Sequence, residues 1–225
     1  MSVGLYGKYP AKRDFVVVNI PHAVLQPLEK WIQSALAASR EKLRASWAEC
    51  YMIQPIWNFR LGSSITGVDC IGAMAPSVDG VGRAFPLVIL SHASPGSPGY
   101  PPLGSLKSSD WFPEVHGRLL LALDEEAPAD PIMLLDGLSE PRCEPLHEAE
   151  GLNAIAGGHR IFCADGELDQ TLGKLSEYHC AKADEAMSVW WTSGGDRVRG
   201  QAVSFRGMPD VLFMAEMMSG DTGLG

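Results

Sequence analysis

The amino-acid sequence predicts an α/β protein of the α+β type, in which a mainly antiparallel sheet is flanked by helices. Apolar residues recur at three- and four-residue steps over positions 21–47, which is typical of a long amphipathic helix. Three short apolar segments then follow with only brief Gly, Ser and Asp connections, which favour antiparallel strands. The 225 residues are 46% hydrophobic and 20% charged, as in an ordinary globular protein.

Each predicted element of residues 1–125 has a local signal, such as a β-branched run, a helical spacing or a Pro/Gly boundary. The order is strand, strand, helix, three strands, helix, which is similar to longin and profilin-like folds. The predicted strands are Val3–Pro10, Phe15–Val18, Pro55–Leu61, Cys70–Ala75 and Ala84–Leu90, and the helices run from Pro21 to Trp47 and, behind an N-cap at Ser108–Asp110, through Trp111 to Leu123.

The remaining residues, 126–225, predict a smaller helix–hairpin–helix extension that packs on a longin-like core of residues 1–125 within a single domain. Residues 124–150 are acidic and Pro-rich and predict a loop. The extension is predicted as a helix from Leu168 to Ala183, a hairpin of Met187–Thr192 and Gln201–Phe205, and a last helix that begins near Met208–Pro209.

Charge and hydropathy favour a protein partner in the cytoplasm. The net charge is −9, although residues 1–60 hold eight basic and four acidic residues. Nucleic acid and anionic membranes bind clustered positive charge, so neither is an expected partner. The longest apolar runs, Pro86–Leu90 and Leu119–Leu123, are far shorter than the ~20 residues of a membrane span. No secretory signal is recognised, and five irregularly spaced cysteines are typical of reduced thiols.

The sequence predicts no catalytic residue, metal site or cofactor. It lacks the Gly-x-Ser-x-Gly elbow of serine hydrolases and the glycine-rich loop of nucleotide-binding proteins. The sequence also has no Cys-x-x-Cys pair, which is the ligand spacing typical of structural zinc sites. The residues weighed for zinc are Cys143, His147, His159, Cys163, His179 and Cys180. A metal- or phosphate-handling enzyme built on Asp79, Arg83 and these residues is one alternative function, and a structural part of a larger machine is another.

Two loops and a Trp pair are the candidate partner-binding or loop-shaping sites. The bend in Gly7–Val16 presents Lys8, Arg13 and Asp14, and the loop Pro76–Pro86 carries Ser77, Asp79 and Arg83. Asp79 can cap its own loop and pair with Arg83, or these side chains can contact a partner. In the tandem Trp190–Trp191, strand alternation sends one indole into the core and the other outward as a possible interface anchor.

These segments together resemble the TagF (ImpM) family, which is associated with the type VI secretion system of Gram-negative bacteria. The matching motifs are Gly7-Lys8-Tyr9-Pro10, Asp14-Phe15-Val16, the helix tryptophans Trp31 and Trp47, the run Pro76–Leu87, the segment Ser188–Thr192 and Gly207-Met208-Pro209. One departure is Arg13, since the family usually has Gly before the Asp.

The resemblance implies a non-enzymatic regulator. TagF-type proteins repress the secretion machine after translation by binding and sequestering a scaffold protein with a forkhead-associated domain. They act alongside a threonine kinase and a PP2C-type phosphatase. The sequence has no run of metal-binding aspartates, so the phosphatase is expected to be a separate protein.

Overall fold

A seven-stranded sheet forms the centre of the molecule. The computed structural model describes residues 2–94, 100, 111–141, 152–155, 158–161 and 168–221. The strands of the sheet are β1 (Ser2–Tyr9), β2 (Asp14–Val18), β3 (Trp57–Leu61), β4 (Cys70–Ala75), β5 (Leu87–His92), β8 (Met187–Gly194) and β9 (Arg199–Arg206), with a separate pair β6 (Leu152–Ile155) and β7 (Gly158–Ile161). Their order in the sheet is β2-β1-β5-β4-β3-β8-β9. All neighbouring strands are antiparallel, and the predicted α+β class is confirmed.

Helices cover both faces of this sheet. The helices are α1 (His22–Leu43), α2 (Trp47–Ile53), α3 (Ser63–Thr66), α4 (Trp111–Ala122), α5 (Leu168–Asp184) and α6 (Phe213–Ser219). Residues of α1, α2 and α6 share one core with one face of the sheet, and residues of α4 share a second core with the other face. Short 3-10 helices lie at Pro10–Lys12, Arg44–Ser46 and Pro131–Leu134.

The central strands β4 and β5 are buried on both faces. Val88 and Leu90 point into the α1 core, whereas Leu87 and Ile89 point into the α4 core. A strand with two buried faces reads as a continuous apolar run rather than an alternating one. Burial on both faces therefore explains why both strands have continuous apolar sequences.

Three predicted boundaries were wrong by three residues or more. The first helix ends at Leu43 rather than Trp47, because Arg44 adopts a positive φ of 47° and a separate helix begins at Trp47. Strand β5 begins at Leu87 rather than Ala84, since the preceding residues form a loop held by an isolated bridge from Val78 to Ala84.

The last helix begins at Phe213 rather than near Pro209. Asp210 first forms a turn, in which its carboxylate accepts from the Leu212 N–H and its carbonyl accepts from the Phe213 N–H. The predicted N-cap at Ser108–Asp110 lies outside the described residues, as does 142–150 of the acidic segment. The described part of that segment contains the 3-10 helix at Pro131–Leu134.

The C-terminal hairpin continues the main sheet. Strand β8 pairs with β3, from Asn58 opposite Trp191 to Leu61 opposite Ser188.

Among the described helices, none is long and apolar enough to cross a membrane.

Candidate functional site

The two loops singled out from the sequence meet in a buried ion pair. Lys8 Nζ lies 2.7 Å from Asp79 Oδ2, and Arg83 Nε lies 2.6 Å from the same oxygen. Lys8 also donates to the Arg83 carbonyl at 2.6 Å. The Lys8 and Asp79 side chains are 6% and 1% exposed, whereas that of Arg83 is 73% exposed. These three residues are called the ion-pair cluster below.

Asp79 also folds its own loop. Its Oδ1 accepts from the backbone N–H of Val81 at 3.1 Å and of Arg83 at 2.8 Å. Hydrogen bonding from Lys8, with further donors from Arg83 and Val81, holds the pKa of Asp79 well below its usual range against the opposing effect of burial. The carboxylate is therefore ionised at neutral pH and has both oxygens occupied.

A glycine brings Lys8 to this position. Gly7 has a φ of +126°, and a Cβ there would lie 2.0 Å from the Pro86 carbonyl oxygen. Only glycine fits so close an approach of β1 to the start of β5. The next residue, Lys8, then reaches Asp79 in the loop that precedes β5.

Behind the cluster, Ser77 and Tyr51 fix the base of the loop. Ser77 Oγ donates to the Lys8 carbonyl at 2.8 Å. The Tyr51 hydroxyl donates to the Ser77 carbonyl at 2.8 Å and accepts from the Ser77 N–H at 3.0 Å. Burial raises the pKa of Tyr51. Tyr51 is not among the predicted site residues, since it lies on α2, a helix that was not predicted separately.

The β1–β2 turn lies directly against the loop. Arg13 adopts the left-handed conformation, with a φ of 58°. A Cβ on Gly80 would lie 2.9 Å from Arg13 Cγ and Cδ, so the arginine stem packs where Gly80 has no side chain. The left-handed backbone explains why glycine is usual at the position of Arg13 in the family that the sequence resembles.

Exposed apolar and basic side chains surround the cluster. Phe15 packs against Phe85, with ring centroids 4.8 Å apart, and Lys8 Nζ lies 5.5 Å from the Phe15 centroid. Phe15, Val17 and Val81 are nevertheless 47%, 54% and 77% exposed. The exposed residues here, called the hairpin surface below, are Lys12, Arg13, Asp14, Phe15, Val17, Val81 and Arg83.

The tryptophans lie elsewhere in the sheet. Trp190 is fully buried, with its ring centroid 4.8 Å from that of Trp31. Trp191 lies on the opposite face, half-buried, with its centroid 5.0 Å from that of Phe112 on α4. Strands β5, β4 and β3 separate β8 from β1, so neither indole joins the ion-pair cluster.

A second group of buried charges, which was not predicted from the sequence, joins β3 to the end of α5. Arg60 Nη1 lies 2.7 Å from Asp184 Oδ2, and Nη2 lies 3.5 Å from Asp69 Oδ2. Burial raises the pKa of Asp69 although Arg60 opposes the shift. This group ties the C-terminal part of the chain to the sheet.

The ion-pair cluster is suited to holding the loop and the turn in place rather than to catalysis. Its carboxylate is saturated by donors, so it has no free oxygen to act as a general base. Among the residues that the structure describes, no three His, Cys, Asp or Glu side chains are grouped to hold a metal ion. Three of the residues weighed for zinc, Cys143, His147 and Cys163, lie outside the described residues, His159 lies on β7, and His179 and Cys180 are exposed on α5. The geometry of the ion-pair cluster therefore favours a role in holding the hairpin surface in place for binding.

Comparison with known proteins identifies a family and a similar fold. Residues 4–135 match the model of the TagF N-terminal domain, described as type VI secretion system-associated. The crystal structure of PA0076 from Pseudomonas aeruginosa PAO1 superposes with a TM-score of 0.80 at 27% sequence identity, covering 97% of this chain and 94% of that one. A search of curated proteins finds no match.

Proposed function

The chain belongs to the TagF family of type VI secretion-associated proteins, and on this premise we propose that it is a post-translational repressor of type VI secretion. It acts in the cytoplasm and without catalysis, by binding and sequestering a scaffold protein with a forkhead-associated domain. The modifying reactions of the pathway belong to a threonine kinase and a PP2C-type phosphatase that work alongside it.

The observation that carries this proposal is the hairpin surface. It lies on the segment that matches the family model, and it combines apolar side chains with exposed Lys and Arg. The buried ion-pair cluster holds the loop and the turn beneath it in one arrangement, so docking requires little ordering of the backbone. Rigidly mounted loops of this kind are where binding commonly takes place.

Export of the secretion tube protein tests the role in cells. We expect overexpression of the chain to stop export and deletion of its gene to raise export. A structural component of the machine would behave in the opposite way on deletion, because secretion would then be lost. Unchanged export on overexpression would contradict the proposal.

Size exclusion with light scattering tests direct binding. We expect the purified chain and the forkhead-associated scaffold of the same secretion cluster to elute as a mixed peak at tens of micromolar, where a complex with a Kd of ~1 μM is largely formed. Val81→Asp should weaken the mixed peak because it places an acid on the hairpin surface. Leu120→Asp, at a similarly exposed apolar residue of α4, is the matched control.

A further inference from the structure

We propose that strand β2 is a docking edge, to which an extended segment of the partner, carrying apolar and acidic side chains, adds as a further strand. The inference rests on the proposed function, because the forkhead-associated scaffold is taken as the source of the segment. It specifies how the hairpin surface recognises that partner.

Among the residues that the structure describes, no strand pairs with the outer side of β2. The strand lies at the end of the sheet and pairs there with β1. The Phe15 N–H donates to the Asp14 carboxylate at 2.7 Å and so points away from β1. Because backbone groups alternate between the two sides of an antiparallel strand, Phe15 and Val17 present their N–H and C=O groups outward.

The side chains of the same residues favour β2 over the opposite edge. Phe15 and Val17 are both about half exposed on the face that holds α1, whereas the intervening Val16 is buried on the other face. Strand β9 is the other edge, and it has no large exposed apolar side chain along its length. An added strand would cover apolar surface at β2 and little at β9.

Charge identifies the kind of segment. Lys12, Arg13 and Arg83 are exposed beside β2, on a chain whose net charge is −9. The nearby acids are Asp79, which is neutralised by its buried partner Lys8, and the exposed Asp14 of β2, so the three exposed bases outnumber the one exposed acid. A segment with Asp or Glu beside apolar residues therefore matches this edge, whereas a basic segment would be repelled.

The edge is built to accept only a short strand. Arg13 and Asn19 both have positive φ angles, 58° and 54°, and they bracket the five residues of β2. The Asp14 carboxylate also covers the first outward N–H. Short length and a local acid are features that protect edge strands against indiscriminate pairing. Side-chain recognition is then needed to select the partner.

Val17→Pro is the decisive variant. Proline removes an outward N–H but no hydrogen bond to β1, so we expect β2 to remain folded. Affinity for the purified scaffold should fall by at least about tenfold, since an edge hydrogen bond and its geometry are lost. Val17→Thr keeps the N–H and the β-branched shape and should bind within about threefold of the parent chain. The melting temperature of each variant checks its fold.

Hydrogen exchange in the unmodified complex gives an answer even if Val17→Pro fails to fold. The Val17 amide should exchange at least about tenfold more slowly when the scaffold is bound. Lys12→Glu should weaken binding more than Arg199→Glu, which reverses an exposed charge on β9.

The outcomes separate two failures. If the scaffold binds the parent chain while the Val17 amide is unprotected, or a folded Val17→Pro binds equally well, the docking edge is wrong and the proposed function stands. If the scaffold does not bind the parent chain, the proposed function fails and the inference falls with it.

Discussion

Lys8 and Arg83 hold the same carboxylate oxygen but differ in burial. The Lys8 side chain is 6% exposed and that of Arg83 is 73% exposed. Exposed ion pairs contribute little to stability, whereas removal of one member of a buried pair leaves a buried charge behind. The two residues therefore have separable roles, since one supports the loop and the other faces solvent.

We expect Arg83→Ala to lower the melting temperature by only about 2 °C and Lys8→Met to lower it by about 10 °C. Thermal unfolding followed by circular dichroism measures both changes in melting temperature. The sequence alone suggested that Arg83 mainly shapes the loop. If Arg83→Ala keeps its melting temperature and loses the scaffold, Arg83 is a contact residue.

Asp79 gives the fold a defined dependence on pH. Its folded-state pKa lies below the unfolded value of about 3.9, so between the two the unfolded chain binds more protons. The stability it contributes is present above about pH 4 and is lost as the pH falls through the folded pKa. Urea unfolding at pH 6 and pH 3 should show a smaller loss on acidification in Asp79→Asn than in the parent chain. Equal losses would mean that other carboxylates dominate.

The β1–β2 turn places a left-handed residue between the cluster and the docking edge. We expect Arg13→Gly to keep the fold and to stabilise it by up to about 1 kcal/mol, because glycine adopts a positive φ without steric cost. Urea unfolding measures this change. Loss of the arginine stem over Gly80 opposes the gain, and a large destabilisation would show that this packing outweighs the backbone strain.

Elements with a local signal were predictable, whereas their partners were not. Strand β4, predicted and observed at Cys70–Ala75, has a continuous apolar run that only a doubly buried strand needs. The end of α1 at Leu43 has no glycine or proline to announce it, because the break comes from the positive φ of Arg44. Within the loop, Asp79 and Arg83 are four residues apart and their pairing was foreseen. Lys8 is 71 residues from Asp79, and only the placement of β1 beside β5 brings them together.

On the scale of the whole molecule, the C-terminal hairpin is part of the sheet that carries the core. Trp190 is fully buried between Trp31 and Phe59, and Arg60 binds Asp184 at the end of α5. A chain of residues 1–141 would leave β3 as an open edge with these partners missing. We expect it to aggregate or to remain unfolded, as measured by size exclusion and by tryptophan fluorescence. A monomeric, cooperatively unfolding fragment would show that the N-terminal part is an independent domain.

The pairing of β3 with β8 also determines how long β3 lacks one of its neighbours during translation. The ribosome adds about 5–20 residues per second, so the roughly 125 residues between these strands take about 6–25 seconds to emerge. During that interval the nascent chain holds Trp57 and Phe59 on a strand that has β4 beside it but lacks its second neighbour, β8. Slower translation prolongs this exposure, and the demand for chaperones should rise with the time spent between codons 61 and 188.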